Sequence, residues 1–175
     1  MNLKRRNLGL AGTVENVDEH RADTMNEIDV YPKPIQQYGA LCFRNTPKGP
    51  QVLLITTRET RRWMIPKGWP ISGLKPRKVA EREAWEEAGV IGRAKKKPFG
   101  EFLYDKLMQD GSGARPVVAV FLLEVRRSRK RFPEMAERDS VWLTPFEAAR
   151  RVEEPDLERL LLKFGRMVER GGRLP

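Results

Sequence analysis

Glu83, Glu86 and Glu87 fall within five consecutive residues of the segment PKGWPISGLKPRKVAEREAWEEAGVI, which runs from Pro66 to Ile91. On a helix, at about 100° per residue, Glu87 stands about 40° to one side of Glu83 and Glu86 about 60° to the other. The three carboxylates then share an arc about 100° wide. Like charges so close repel, and a hard divalent cation such as Mg²⁺ or Mn²⁺ placed among them relieves the repulsion. A Glu-rich helix face also serves as plain solvated surface, and helix geometry alone does not choose between the two. Little else in the chain offers chemistry. The single histidine, His20, and the single cysteine, Cys42, argue against His-rich zinc sites, most histidine-based nucleophilic catalysis and an internal disulfide framework. Hydrolysis by this chain has to run on carboxylates.

The surrounding charge suits an anionic ligand. The 175 residues carry a formal net charge of +10, unevenly placed: residues 1–30 hold four basic and six acidic side chains, the remainder 30 and 18. A field of that sign attracts nucleic acid, anionic headgroups or a polyphosphorylated small molecule. The longest apolar run, Val117 to Leu123, is seven residues, far short of the roughly 20 that span a bilayer. No apolar signal core follows Lys4, Arg5 and Arg6, and one cysteine fits a reducing compartment. The expected location is therefore cytoplasmic, with no membrane partner.

The elements that must position the carboxylates follow from periodicity and punctuation. Residues 1–34 read as an N-terminal extension, partly mobile, closed by Pro32 and Pro34. Tyr38 to Phe43 and Val52 to Thr57 are strands of a hairpin turned at Asn45 to Pro50, and Trp63 to Ile65 is a shorter extended piece. Pro76 to Ala88 is the clearest helix, with Ala80, Ala84 and Ala88 on the stripe beside the glutamates and Gly89 to end it. Lys75 is a poor N-cap. Phe99 to Leu107 reads as one strand. Val117 to Val125 reads as a central strand covered on both faces. Val141 to Leu143 is a short strand, Thr144 caps a helix with Pro145 first and Glu147 at N3, and Asp156 to Glu169 is an amphipathic helix. Lys95 to Lys97 and Arg126 to Arg131 read as charged hairpin ends. The fold class is α/β, with helices on both sides of a sheet.

Residues 68–90 resemble the Nudix box of the Nudix hydrolase family, G-x(5)-E-x(7)-R-E-U-x-E-E-x-G-U, where U is apolar. Gly68, Arg82-Glu83, Ala84, Glu86-Glu87 and Gly89-Val90 match without insertion. One constrained position departs: the box's first glutamate falls on Leu74, which is expected to turn inward beside Trp69 or Val79. The resemblance implies a Nudix-type α/β/α sandwich with a mixed sheet over 35–170, leaving 171–175 as a tail. It implies hydrolysis of a pyrophosphate bond by water attack on phosphorus, with Mg²⁺ as cofactor and Mn²⁺ as a substitute. Glu83, Glu86 and Glu87 are then the metal-binding carboxylates, joined by a backbone carbonyl of Lys67 or Gly68. Arg82, directly before Glu83, is expected to hydrogen-bond a neighbouring carboxylate or a loop carbonyl and set its orientation. The water is activated either by a glutamate of the box or by one from the loop ahead of the last strand, Glu137 or Glu134, with Glu137 preferred of these two as the nearer to Val141.

Arg61, Arg62, Lys67, Lys75, Arg77, Lys78 and Arg115 are the candidate substrate contacts, those at the helix start gaining from the positive helix terminus. The run RRWMIPKGW is similar to the family branch that cleaves diadenosine polyphosphates and diphosphoinositol polyphosphates. That resemblance implies a small anionic polyphosphate as substrate. The alternatives are a nucleoside triphosphate, a nucleotide sugar or an RNA 5′ end, with Trp69, Tyr38 and Phe99 as base-stacking candidates, or a non-catalytic nucleotide- or RNA-binding domain on the same fold. Nucleic acid is thus the disfavoured partner, open only through the basic surface, and the oligomeric state is left open.

Overall fold

The computed structural model describes residues 35–107, 111 and 113–171. The extension expected over 1–34 and all but Gly171 of the tail lie outside the described residues. The chain forms β1 (Gln36–Thr46), β2 (Gly49–Thr56), β3 (Trp63–Met64), β4 (Lys67–Gly68), α1 (Pro76–Ala88), β5 (Val90–Ala94), β6 (Gly100–Leu103), β7 (Lys106–Leu107), β8 (Gly113–Ala114), β9 (Val117–Ser128), β10 (Ser140–Leu143), α2 (Pro145–Arg151) and α3 (Pro155–Glu169). The main sheet runs β10-β2-β1-β9-β5, with β3 on β2, β4 on β1 and β6 on β9; β7 and β8 pair separately. β1 and β9 run parallel, whereas the other described pairs are antiparallel. The sheet is mixed.

Strand alternation divides the core into two layers. Leu41 and Phe43 of β1 face Ala148, Leu157, Leu161 and Phe164 of α2 and α3. Ala40 and Cys42 face the opposite way, toward Ala80 and Ala84 of α1. The alanines let α1 lie close to the sheet, and both are fully buried. β9 is buried from Val118 to Leu123, because helices cover both of its faces. This is an α/β/α sandwich.

Both ends of α1 match their sequence signals. Lys75 has extended backbone angles and makes no side-chain cap, and Pro76 takes the first helical position. Gly89 ends the helix in the left-handed region, φ 65°, and its N–H is donated to Trp85 O at 3.0 Å. A Cβ at Gly89 would also lie 2.8 Å from Arg129 O, so only glycine fits that position. Thr144 and Glu147 form the full capping box of α2.

Three expectations require correction. Phe99 to Leu107 is not one strand: β6 pairs with β9 from Gly100↔Val120 to Leu103↔Val117. β9 begins at Val117, so the ladder has no partner beyond Leu103 and the chain turns away to β7. Arg126 and Arg127 belong to β9 itself, and Ile91 of β5, a strand the sequence pattern did not reveal, lies opposite Arg127. Leu74 is 41% exposed rather than inward. Its N–H closes a turn onto Ile71 O, and Val79, Ala80 and Ala84 already fill the inner stripe of α1.

Candidate active site

β1 holds β4 in place through the pairs Tyr38↔Gly68 and Gly39↔Lys67, which sets the Lys67–Gly68 backbone beside α1. Two of the three glutamates meet it there. A Cβ at Gly68 would lie within 2.6 Å of all three atoms of the Glu83 carboxyl group, so the missing side chain is what admits Glu83. Glu87 is only 5% exposed, and its Oε2 accepts the Lys67 N–H at 2.9 Å. Glu86 is partly buried and accepts from Arg82 Nε at 2.7 Å. Among the described residues no three acidic side chains form a ready-made metal cage, and Glu86 and Glu87 are each engaged by an arginine.

The second of those arginines, Arg138, was absent from the candidates drawn from sequence. It lies in the loop between β9 and β10. Its Nη2 contacts Glu87 Oε1, its Nε donates to Glu134 Oε2 at 2.7 Å and its Nη1 to Thr56 O at 3.0 Å. The only sequence signal for it was the i, i+4 pairing of Glu134 with Arg138. Glu134 is thus joined to the box through a shared guanidinium, and its own N–H is donated to Glu86 O. Glu137 is half-exposed and pairs with Arg58 at 3.1 Å.

Electrostatics follow from crowding in a partly dry place. Burial, and then the charges of Glu87, Glu86 and Glu134, push the Glu83 carboxyl up to about 7. Burial also raises Glu87, against the opposing pull of Lys67 and Arg138. Lys67 is lowered, mainly by burial, and its ammonium stands 4.7 Å over the Tyr104 ring. An excess of carboxylate oxygens beside backbone carbonyls is the donor chemistry a hard divalent cation takes. Glu83, Glu87 and the Lys67–Gly68 backbone fit such an ion, with Glu86 adjacent.

The basic candidates divide by their partners. Arg61 pairs with Asp139 and donates to Glu137 O; Arg62 pairs with buried Glu154 at 2.9 Å and donates to Asp105 O. Lys78 pairs with Glu81 at 2.6 Å and Arg115 with Asp105 at 3.3 Å. Arg77 lies 3.7 Å from Glu81, yet together with Lys75 it also lines a cleft of about 610 Å³, shared with Gln36, Tyr38, Lys96 and Phe121. Arg62 and Arg115 thus meet at Asp105, and Lys75 and Arg77 meet at the cleft. Of the aromatic candidates, Tyr38 and Phe99 pack against the core. Trp69 is exposed, with Lys106 Nζ 4.8 Å from its ring.

Fold and site together define an α/β/α protein whose carboxylate-bearing helix lies against a glycine loop. A family model of the NUDIX domain matches residues 35–164. Among solved structures the fold is similar to the C. elegans Ap4A hydrolase, with a TM-score of 0.55 at 18% identity over 77% of this chain and 98% of that one. A binary complex of a C. elegans Ap4A hydrolase gives 0.56 at 17%, over 77% and 98%. A NUDIX hydrolase from Listeria monocytogenes str. 4b F2365 gives 0.57 at 12%, over 79% and 98%. At these identities the likeness concerns the fold. The chain belongs to the Nudix family. It is accordingly a pyrophosphohydrolase of the class that uses divalent cations. Among the described residues no helix is long and apolar enough to cross a membrane.

Proposed function

We propose that this chain is a Mg²⁺-dependent hydrolase of a polyphosphorylated substrate, a diadenosine polyphosphate or a diphosphoinositol polyphosphate, working in the cytoplasm. The observation that carries the reading is the meeting of Glu83 and Glu87 with the Lys67–Gly68 backbone, at the spacing of the box. Bound there, a divalent cation would neutralise pyrophosphate oxygens and acidify the attacking water. The protein's own part is to hold the carboxylates: Lys67 N–H and Arg138 fix Glu87, and Arg82 fixes Glu86. Glu134, tied to the box through Arg138, is better placed than Glu137 to take the proton of the water. Exposed Trp69 beside Lys106 offers an aromatic face next to a cation, which suits a base attached to a phosphate chain. Of the two substrates this favours the dinucleotide.

The test is a panel of diadenosine polyphosphates, diphosphoinositol polyphosphates, nucleoside triphosphates and nucleotide sugars at matched ionic strength with Mg²⁺, each product identified. Cleavage of the polyphosphates at the highest kcat/KM is expected. Preference for triphosphates or nucleotide sugars would overturn the substrate assignment. No cleavage of any member would overturn the function.

A further inference from the structure

Arg138 is buried to an extent unusual for arginine, its side chain being 8% exposed, and each of its three nitrogens has a partner. Burying a guanidinium is unfavourable unless its charge is answered. Fastening the loop does not account for it. That loop is already tied to β2 by Asp139 N–H to Thr56 Oγ1 and Thr56 N–H to Asp139 O, both 3.0 Å. It is tied to α1 by Glu134 N–H to Glu86 O at 3.0 Å and to the helix end by Arg129 N–H to Gly89 O at 2.8 Å. What no other contact supplies is positive charge touching Glu87. Arg82 is spent on Glu86 and Arg58 on Glu137, while the Lys67 ammonium, standing over Tyr104, pulls on Glu87 without touching it.

We infer that Arg138 is a built-in counter-ion of the box: by bridging Glu87 and Glu134 it keeps the carboxylate cluster folded without metal, and a divalent cation must compete with it for Glu87. Arg138 is thus a positioning residue that trades metal affinity for metal-free stability. The part concerning the cation rests on the function proposed above; the part concerning charge balance does not. Two ligands that exclude each other at one carboxylate are reciprocally coupled, so removing one strengthens the other.

The experiment compares the full-length wild type with Arg138→Met, Arg138→Lys, Glu87→Gln and the Arg138→Met/Glu87→Gln double variant. Thermal midpoints are read in EDTA and in Mg²⁺, and Mn²⁺ affinity by electron paramagnetic resonance. Arg138→Met should lower the EDTA midpoint, rise more than wild type on adding Mg²⁺, and bind Mn²⁺ at least about tenfold more tightly. In the Glu87→Gln background the same change should lower the midpoint much less, since only Glu134, the more exposed of the two carboxylates, is then left without its guanidinium. Arg138→Lys, which keeps the charge, should recover most of the midpoint and hold Mn²⁺ affinity near wild type. If Arg138→Met is unfolded in EDTA, recovery of its circular dichroism in Mg²⁺ supports the inference and persistent unfolding overturns it. Equal Mn²⁺ affinity in wild type and Arg138→Met, equal midpoint losses in both Glu87 backgrounds, or no Mn²⁺ binding by any variant overturns it as well. Failure of the proposed function shows instead as absent turnover by wild type, which leaves these midpoints readable.

Discussion

Gly68→Ala separates the chemistry of the site from its stability. The glycine carries no positive φ, so alanine fits the backbone, and the whole effect comes from one methyl group. That methyl would lie within 2.6 Å of each atom of the Glu83 carboxyl group, and ordinary contact begins near 3.4 Å. The carboxylate must therefore retreat by about 1 Å. A 1 Å misplacement in a reacting site costs on the order of 100-fold in rate, which corresponds to about 2.7 kcal/mol of barrier. Stability should hardly change, because what moves is the far end of a flexible, partly exposed side chain; about 0.5 kcal/mol is the scale for such surface changes. The assay is kcat at saturating Mg²⁺ on the best substrate of the panel, alongside a thermal melt, for Gly68→Ala, Glu83→Ala and the double variant. The double variant should be no worse than Glu83→Ala, since the group that the methyl displaces is already gone. A Gly68→Ala enzyme with kcat within about threefold of wild type would refute the reasoning, as would an equal further loss in the Glu83→Ala background.

Phe164→Ala should destabilise by about 3–5 kcal/mol in urea melts, because Phe164 is fully buried with its ring centroid 5.2 Å from that of Phe43. Thr144→Ala should remove about 1 kcal/mol by breaking the capping box of α2; an unchanged midpoint would show the cap to be idle. Glu147 is held below its ordinary value by the backbone N–H and the hydroxyl of Thr144. Its stabilisation is complete above the unfolded value of 4.5 and is lost as pH falls through the lower folded value. Glu147→Gln should therefore flatten that part of the stability–pH curve between pH 7 and about 2.5. The Cys42 thiol is buried and pushed well above the usual thiol range by burial. It should stay unreactive toward a thiol reagent in native buffer and react fully in denaturant; rapid native labelling would contradict its placement.

Features written in adjacent residues were legible in the chain. α1 was bounded by Pro76 and Gly89, α2 by the Thr144 and Glu147 box, and β9 declared itself by an apolar run too continuous for an edge. Helical spacing alone placed Glu83, Glu86 and Glu87 on one arc. Tertiary structure decided everything that depends on a partner distant in sequence. β5 alternates poorly and contains Gly92, and it becomes a strand only because β9 offers it a ladder. β6 ends at Leu103 because that ladder ends at Val117. Leu74 faces water because Val79, Ala80 and Ala84 had already taken the inner stripe of their helix. Arg61 and Arg62 looked like free cations until folding brought Asp139 and Glu154 to them from 78 and 92 residues away. Arg138 reached Glu87 across 51 residues. A local period is set by backbone geometry and shows in any window of the sequence. A charge, by contrast, is neutralised by whichever opposite charge the packed layers bring within a few ångströms, and only the completed sandwich determines which one that is.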